Sequence, residues 1–119
     1  MVKVIGKTKD LGDMQGAWKK LLEKIGQEGN DFLIFSLKRR KEIKYFHARV
    51  DGRHIVVDRA KEHIETAQIN GKRRIDFNQF RGVAQLYNEY VAETKGIRPK
   101  MRDHCQNTSY IISLIHHHL

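Results

Sequence analysis

Residues 45–58, Tyr45-Phe46-His47-Ala48-Arg49-Val50-Asp51-Gly52-Arg53-His54-Ile55-Val56-Val57-Asp58, decide how the rest of the chain is read. β-Branched and aromatic residues fill both arms, and Asp51-Gly52 readily takes the two positive φ angles of a two-residue type I′ turn. The stretch is expected to be an antiparallel hairpin with Val50 opposite Arg53, Arg49 opposite His54, Ala48 opposite Ile55, His47 opposite Val56 and Phe46 opposite Val57. Strand alternation then sends Phe46, Ala48, Val50, Ile55 and Val57 to one face, which must be the core. The other face collects Tyr45, His47, Arg49, His54 and Asp58 and is expected to be wet or occupied by a partner.

The flanking chain supplies the remaining elements. Phe32 to Leu37, Ile43 to Val50 and Arg53 to Val57 read as three strands bounded by polar breaks. Before them, Met14, Ala17, Trp18, Leu21, Leu22 and Ile25 recur at helical spacing behind the N-cap Asp13, with Gly26 as the C-terminal stop, which predicts a helix over 13–25. After the hairpin, Ala60, Ile64 and Ala67 suggest a helix capped by Asp58 and ended by Asn70-Gly71; the alternative is an Asn-Gly hairpin within 66–75. Asp76 and Gln79 form a capping box ahead of Phe80, Val83, Ala84, Tyr87 and Val91, which predicts a helix over 77–94 closed by Gly96. The run Tyr110 to Ile115, capped by Thr108 or Ser109, reads as a buried terminal helix. The order α-β-β-β-α-α-α defines an α+β fold: an N-terminal helix, a three-stranded antiparallel meander and a helical C-terminal half, in one domain over 1–119.

Composition narrows function more than it names it. The chain has 119 residues, a single proline, Pro99, and a single cysteine, Cys105, so no internal disulfide is available. No run of about 18 apolar residues appears, so no membrane span is expected. Met1 to Lys9 lack the apolar core of a signal peptide, and a lone thiol suits a reducing compartment, so a cytoplasmic location is expected. Lys and Arg number 23 against 14 Asp and Glu, a net charge of +9, which favours polyanionic partners.

The positive charge is clustered. Lys38, Arg39, Arg40 and Lys41 fall between the first two strands, Lys72, Arg73 and Arg74 precede the 77–94 helix, and Arg98, Lys100 and Arg102 follow it. Phosphate backbones release counterions when such side chains neutralise them, so these loops are candidate contacts to DNA or RNA. On the wet sheet face Tyr45 offers an aromatic platform for a base and Arg49 a stacking or phosphate-pairing group. The reading is a small basic, non-enzymatic nucleic-acid-binding module without cofactor or metal. A homo-oligomeric interaction module is the alternative, built on the sheet face or on the strand from Phe32 to Leu37, which is apolar on both sides.

The same chain carries residues of other chemistry. Glu42-Ile43-Lys44 with Asp31 invites a metal-dependent nuclease, a third reading, but the starts of antiparallel strands lie at opposite ends of a hairpin. Cys105 beside Asp103 and His104 is expected to be an incidental thiol rather than a nucleophile. His47 and His54 lack a third ligand for zinc. Pro99 to His118 resembles the pattern of a helix-turn-helix with Asn107, Thr108, Ser109 and Tyr110 at the head of its second helix. The apolar Ile111, Ile112, Leu114 and Ile115 favour a core helix instead. The terminal His116-His117-His118-Leu119 is left out of the fold reading. No phosphate-cradling glycine loop or nucleophile elbow is present.

Overall fold

The computed structural model describes residues 9–35, 44–63, 71–104 and 107–119, with Asp103 and His104 described in backbone only. The fold is α+β: α1 (Met14–Ile25), a four-stranded antiparallel sheet, then helices. In α1 the Asp13 carboxylate accepts the Gly16 N–H at 3.0 Å, and Gly26 at φ 75 ends the helix. Ala17, Trp18, Leu21 and Ile25 face inward, the amphipathic stripe that the spacing requires.

The sheet runs β1 (Asn30–Leu33), β2 (Tyr45–Asp51), β3 (His54–Arg59) and β4 (Arg73–Ile75), each strand pairing with the next. β4 is a fourth strand where three were expected. Residues 60–63 do not continue as the helix expected after Asp58, because β3 extends to Arg59 and Asp58 is a strand residue; Ile64 and Ala67 lie outside the described residues.

The central hairpin corrects the expected register. Asp51 pairs with His54, Val50 with Ile55 and Ala48 with Val57. The turn is therefore Gly52-Arg53 rather than Asp51-Gly52. Gly52 has φ 63 and Arg53 is not in the positive-φ region, the pattern of a type II′ turn, which needs left-handed backbone only at its first central residue. A type I′ turn at Asp51-Gly52 would need two left-handed residues where this turn needs one. Each residue's partner moves by two positions, and a slip of two preserves the faces where a slip of one would reverse them. Phe46, Ala48, Ile55 and Val57 are accordingly fully buried, while Val50 is half-buried.

On the core face of the sheet lie α1, α2 (Phe77–Ala84) and α5 (Thr108–His118), with α3 (Tyr87–Val91) and α4 (Ile97–His104) completing one hydrophobic cluster. The capping box forms as expected, Asp76 accepting from the Gln79 N–H at 2.8 Å. The single helix expected over 77–94 is broken at Gln85-Leu86, where the Leu86 N–H bonds Val83 O three residues back at 3.0 Å. Such a tightened turn, soon after the weak helix former Gly82, lets the chain restart as α3. The terminal helix α5 is the hub: Ile111, Ile112, Ser113, Leu114 and Ile115 are all buried. This burial leaves no recognition flank to enter a groove, so the helix-turn-helix pattern at 99–118 is a core helix. Its N-cap is Asn107 rather than Thr108 or Ser109, because Thr108 turns inward to donate to Met101 O at 3.2 Å.

Two further expectations change. β1 stops at Leu33, and Phe35 leaves the strand line to be buried, its N–H donated to Ser113 Oγ at 2.9 Å. Within the described residues β1 is not buried on both sides, Ser36 and Leu37 of the expected strand lying outside them; Leu33, 37% exposed, is the exposed large apolar side chain of the described residues. The terminal histidines, left out of the sequence reading, belong to the fold. His116 stacks on Phe35 with ring centroids 3.8 Å apart, His118 meets Phe32 edge-on at 4.9 Å, and His117 Nε2 donates to Leu33 O at 2.8 Å. No helix among the described residues is long and apolar enough to cross a membrane.

Candidate functional site

Two regions bring chemistry-bearing residues together. The first is a basic corner at the N-terminus of α5. Asn107 Nδ2 donates to Arg74 O at 3.2 Å, Thr108 ties to Met101 of α4, and Arg98 Nη2 donates to Ser109 Oγ at 2.9 Å. Three consecutive residues thus draw the 72–74 and 98–102 segments, some 25 positions apart in sequence, to one place. Lys72, Arg74, Lys100 and Arg102 are exposed there. Arg73 differs: strand alternation turns it with Ile75 toward the helices, and its positive charge lies close enough to Tyr110 to offset part of the upward push that burial gives that phenol. Arg98 is half-buried and also lies 5.7 Å from the Tyr90 ring centroid. Both arginines therefore help to build the corner rather than project from it. Asp76, next to β4, is committed to its capping box. Lys38, Arg39, Arg40 and Lys41 lie outside the described residues.

The second region is the sheet face away from the helices. Asp31 of β1 sits opposite His47 of β2, and its side chain is only 1% exposed. Oδ1 accepts from His47 Nδ1 at 3.1 Å and from the Lys61 N–H at 3.0 Å. Oδ2 accepts from the Glu62 N–H at 2.7 Å and from His63 Nδ1 at 2.8 Å. Burial alone would raise this carboxyl's pKa. The four hydrogen bonds outweigh burial and hold it well below the usual carboxylate range.

This cluster corrects the expected wet face. His47 is 6% exposed, because its second ring nitrogen also finds an acceptor, Glu28 O, at 3.2 Å. Both ring nitrogens of His47 are thus engaged with acceptors. Val56 on the same face is buried as well, and His54 is half-buried. Tyr45 is not an open platform: His63 stacks on it with centroids 3.6 Å apart and planes at 11°. Arg49 and Arg74 flank Val56 across three strands, so Arg49 does lie on this face as expected, interleaved with Asp51 and Asp58.

The nuclease reading loses its carboxylate here. Both Asp31 oxygens already hold donors, Glu42 lies outside the described residues, and no cluster of three or more His, Cys, Asp or Glu among the described residues is placed to hold a metal. Cys105 is likewise outside the described residues. Sequence reading missed His63 entirely, and no local signal marks it. Its partner is 32 positions away, joined through a β1–β2 register that the sequence did not yield. An open groove of about 600 Å³ between the Lys9–Met14 segment and α2–α3 carries no comparable constellation; Asn88 there is bonded to the Lys9 backbone on both its amide atoms at 2.7 Å. The chain matches no protein-family model, no curated protein and no solved structure.

Proposed function

We propose that the protein is a small nucleic-acid-binding module that grips the phosphate backbone of DNA or RNA at the corner around the α5 N-terminus. The observation carrying this reading is the meeting of two basic segments through Asn107, Thr108 and Ser109. Exposed Lys72, Arg74, Lys100 and Arg102 supply charge, and the α5 dipole adds a field of the same polarity. The net charge of +9 supports long-range attraction to such a polyanion.

The test is fluorescence anisotropy with short duplex and single-stranded probes over a range of salt. With four side chains on four phosphates, log affinity falls against log salt with a slope of about −3.6 on duplex DNA. Replacing Lys100 and Arg102 together by Glu weakens binding and reduces the magnitude of that slope by about 2, while leaving the melting temperature in place. Binding to every probe weaker than about 100 μM at low salt, below ordinary non-specific affinity, would overturn the reading.

A further inference from the structure

We propose that His63 is a general base for cleavage of RNA, with Asp31 as its positioning residue. The proposal rests on the nucleic-acid reading for its substrate class and goes beyond it by adding a reaction, so the expected non-enzymatic role falls if it holds. Three constraints meet on this one imidazole. Asp31, an acceptor only, places the proton of the neutral His63 ring on Nδ1 at 2.8 Å, the tautomer that has its lone pair on Nε2. The parallel stack on Tyr45 holds the ring plane. The side chain is nevertheless 36% exposed, and Nε2 has no hydrogen-bond partner among the described residues. A carboxylate that sets tautomer and orientation while the far nitrogen stays open is the arrangement a histidine needs to take a proton from a substrate. His47 contacts the same carboxylate yet cannot do this, since both its nitrogens are occupied and it is buried.

A phosphate chain held at the basic corner has a route to this group. The Arg74 side chain lies on the outer face of β4, and Arg49 lies two strands across, about 10 Å away at normal strand spacing. His47, opposite Asp31, is the next outer-face position on β2 after Arg49, about 7 Å further. Phosphates can thus step from the corner over Arg74 and Arg49 to His63. The base then needs a hydroxyl beside a phosphodiester, which RNA has and DNA lacks. His63 Nε2 accepts the 2′-OH proton, the 2′ oxygen bonds to phosphorus, and the P–O5′ bond breaks. The products are a 2′,3′-cyclic phosphate and a 5′-hydroxyl. The proton removed from O2′ is the one O5′ requires, so no oxidant, metal or co-reactant enters the balance. Arg49 is the nearest outer-face cation by register to carry the charge that develops on phosphorus.

The experiment follows a fluorescent RNA oligonucleotide and its DNA counterpart in excess EDTA, with anisotropy run on the same samples. RNA is expected to be cut and DNA left intact, with cyclic-phosphate ends. His63→Ala and His63→Gln each lower the rate by about 100-fold or more without changing RNA affinity or melting temperature, and imidazole restores part of the His63→Ala rate. Asp31→Asn lowers the rate and changes the pH–rate profile, a readout that also senses Tyr45, His47, Asp58, Lys61 and Glu62 around the ring. Because Asp31→Asn can also unfold the protein, His63→Gln carries the decision. Intact RNA in samples where anisotropy shows binding, or an undiminished rate in His63→Gln, would overturn the proposal. Absence of binding would instead sink the nucleic-acid reading, and cleavage at high protein concentration then decides the base independently.

Discussion

Gly29 and Asp31 stand two residues apart at the start of β1 and show how differently single positions bear on this fold. Gly29 has φ +68, and a Cβ there would meet the Ala48 carbonyl oxygen and lie 2.7 Å from Arg49 Cα, both backbone atoms that cannot rotate aside. Gly52 has φ +63 but open space around it. Gly52→Ala is expected to cost about 1–2 kcal/mol of left-handed strain, and Gly29→Ala distinctly more; urea denaturation of the two variants gives the ranking, and equal losses would contradict it. Asp31→Ala removes the acceptor for four donors and leaves the buried Nδ1 of His47 without its partner, a loss of about 3 kcal/mol by the same measurement. The pH dependence follows from the lowered carboxyl pKa. Asp31 contributes its stability above the unfolded carboxylate value of about 3.9, and that contribution is lost as pH falls toward the depressed folded value. Acid titration of wild type and Asp31→Asn should therefore converge at low pH.

At the scale of elements, alternation was the legible signal and exact pairing was not. Phe46, Ala48, Ile55 and Val57 were readable as core because a slip of two leaves every side chain on its own face. The turn was not readable, since Asp51-Gly52 and Gly52-Arg53 both offer a left-handed glycine. β4 spans only Arg73–Ile75, too short for any periodicity to announce it. Helix α5 was legible from its apolar run, but the polar residue inside that run carries a role that only the packing reveals. Ser113 Oγ accepts the Phe35 N–H at 2.9 Å and donates to Ser109 O at 2.8 Å. Ser113→Ala keeps the helix and orphans a buried amide, with an expected loss of about 1–3 kcal/mol. Hydrogen exchange reads the same event locally: the Phe35 amide loses protection in the variant while β2 and β3 keep theirs.

For the molecule as a whole, the basic corner was half-visible in composition, since the clusters can be counted; their meeting depends on Asn107 reaching Arg74, which no spacing encodes. The Asp31–His63 pair was invisible for the same reason. The ends of the fold also respond to pH together. Burial, then the neighbouring charges of His117 and of Lys9 or Lys24, push the His116 and His118 pKa values below the ordinary histidine value. Their contribution is complete above the unfolded value of about 6.5 and is lost as pH falls through the depressed folded values. The melting temperature should thus drop between roughly pH 7 and 5, well before the Asp31 window opens, and His116→Phe, which keeps a ring on Phe35, should flatten part of that drop. The two outer strands have a different consequence. On β1, Asn30 Oδ1 takes the Asp31 N–H at 2.9 Å and His117 takes Leu33 O; on β4, Asn107 takes Arg74 O. On each border of the sheet the protein's own side chains thus take some of the backbone groups a fifth strand would use. Another chain arriving edge-on meets these occupied sites, so native protein is expected to be a poorer template for sheet extension than the unfolded chain.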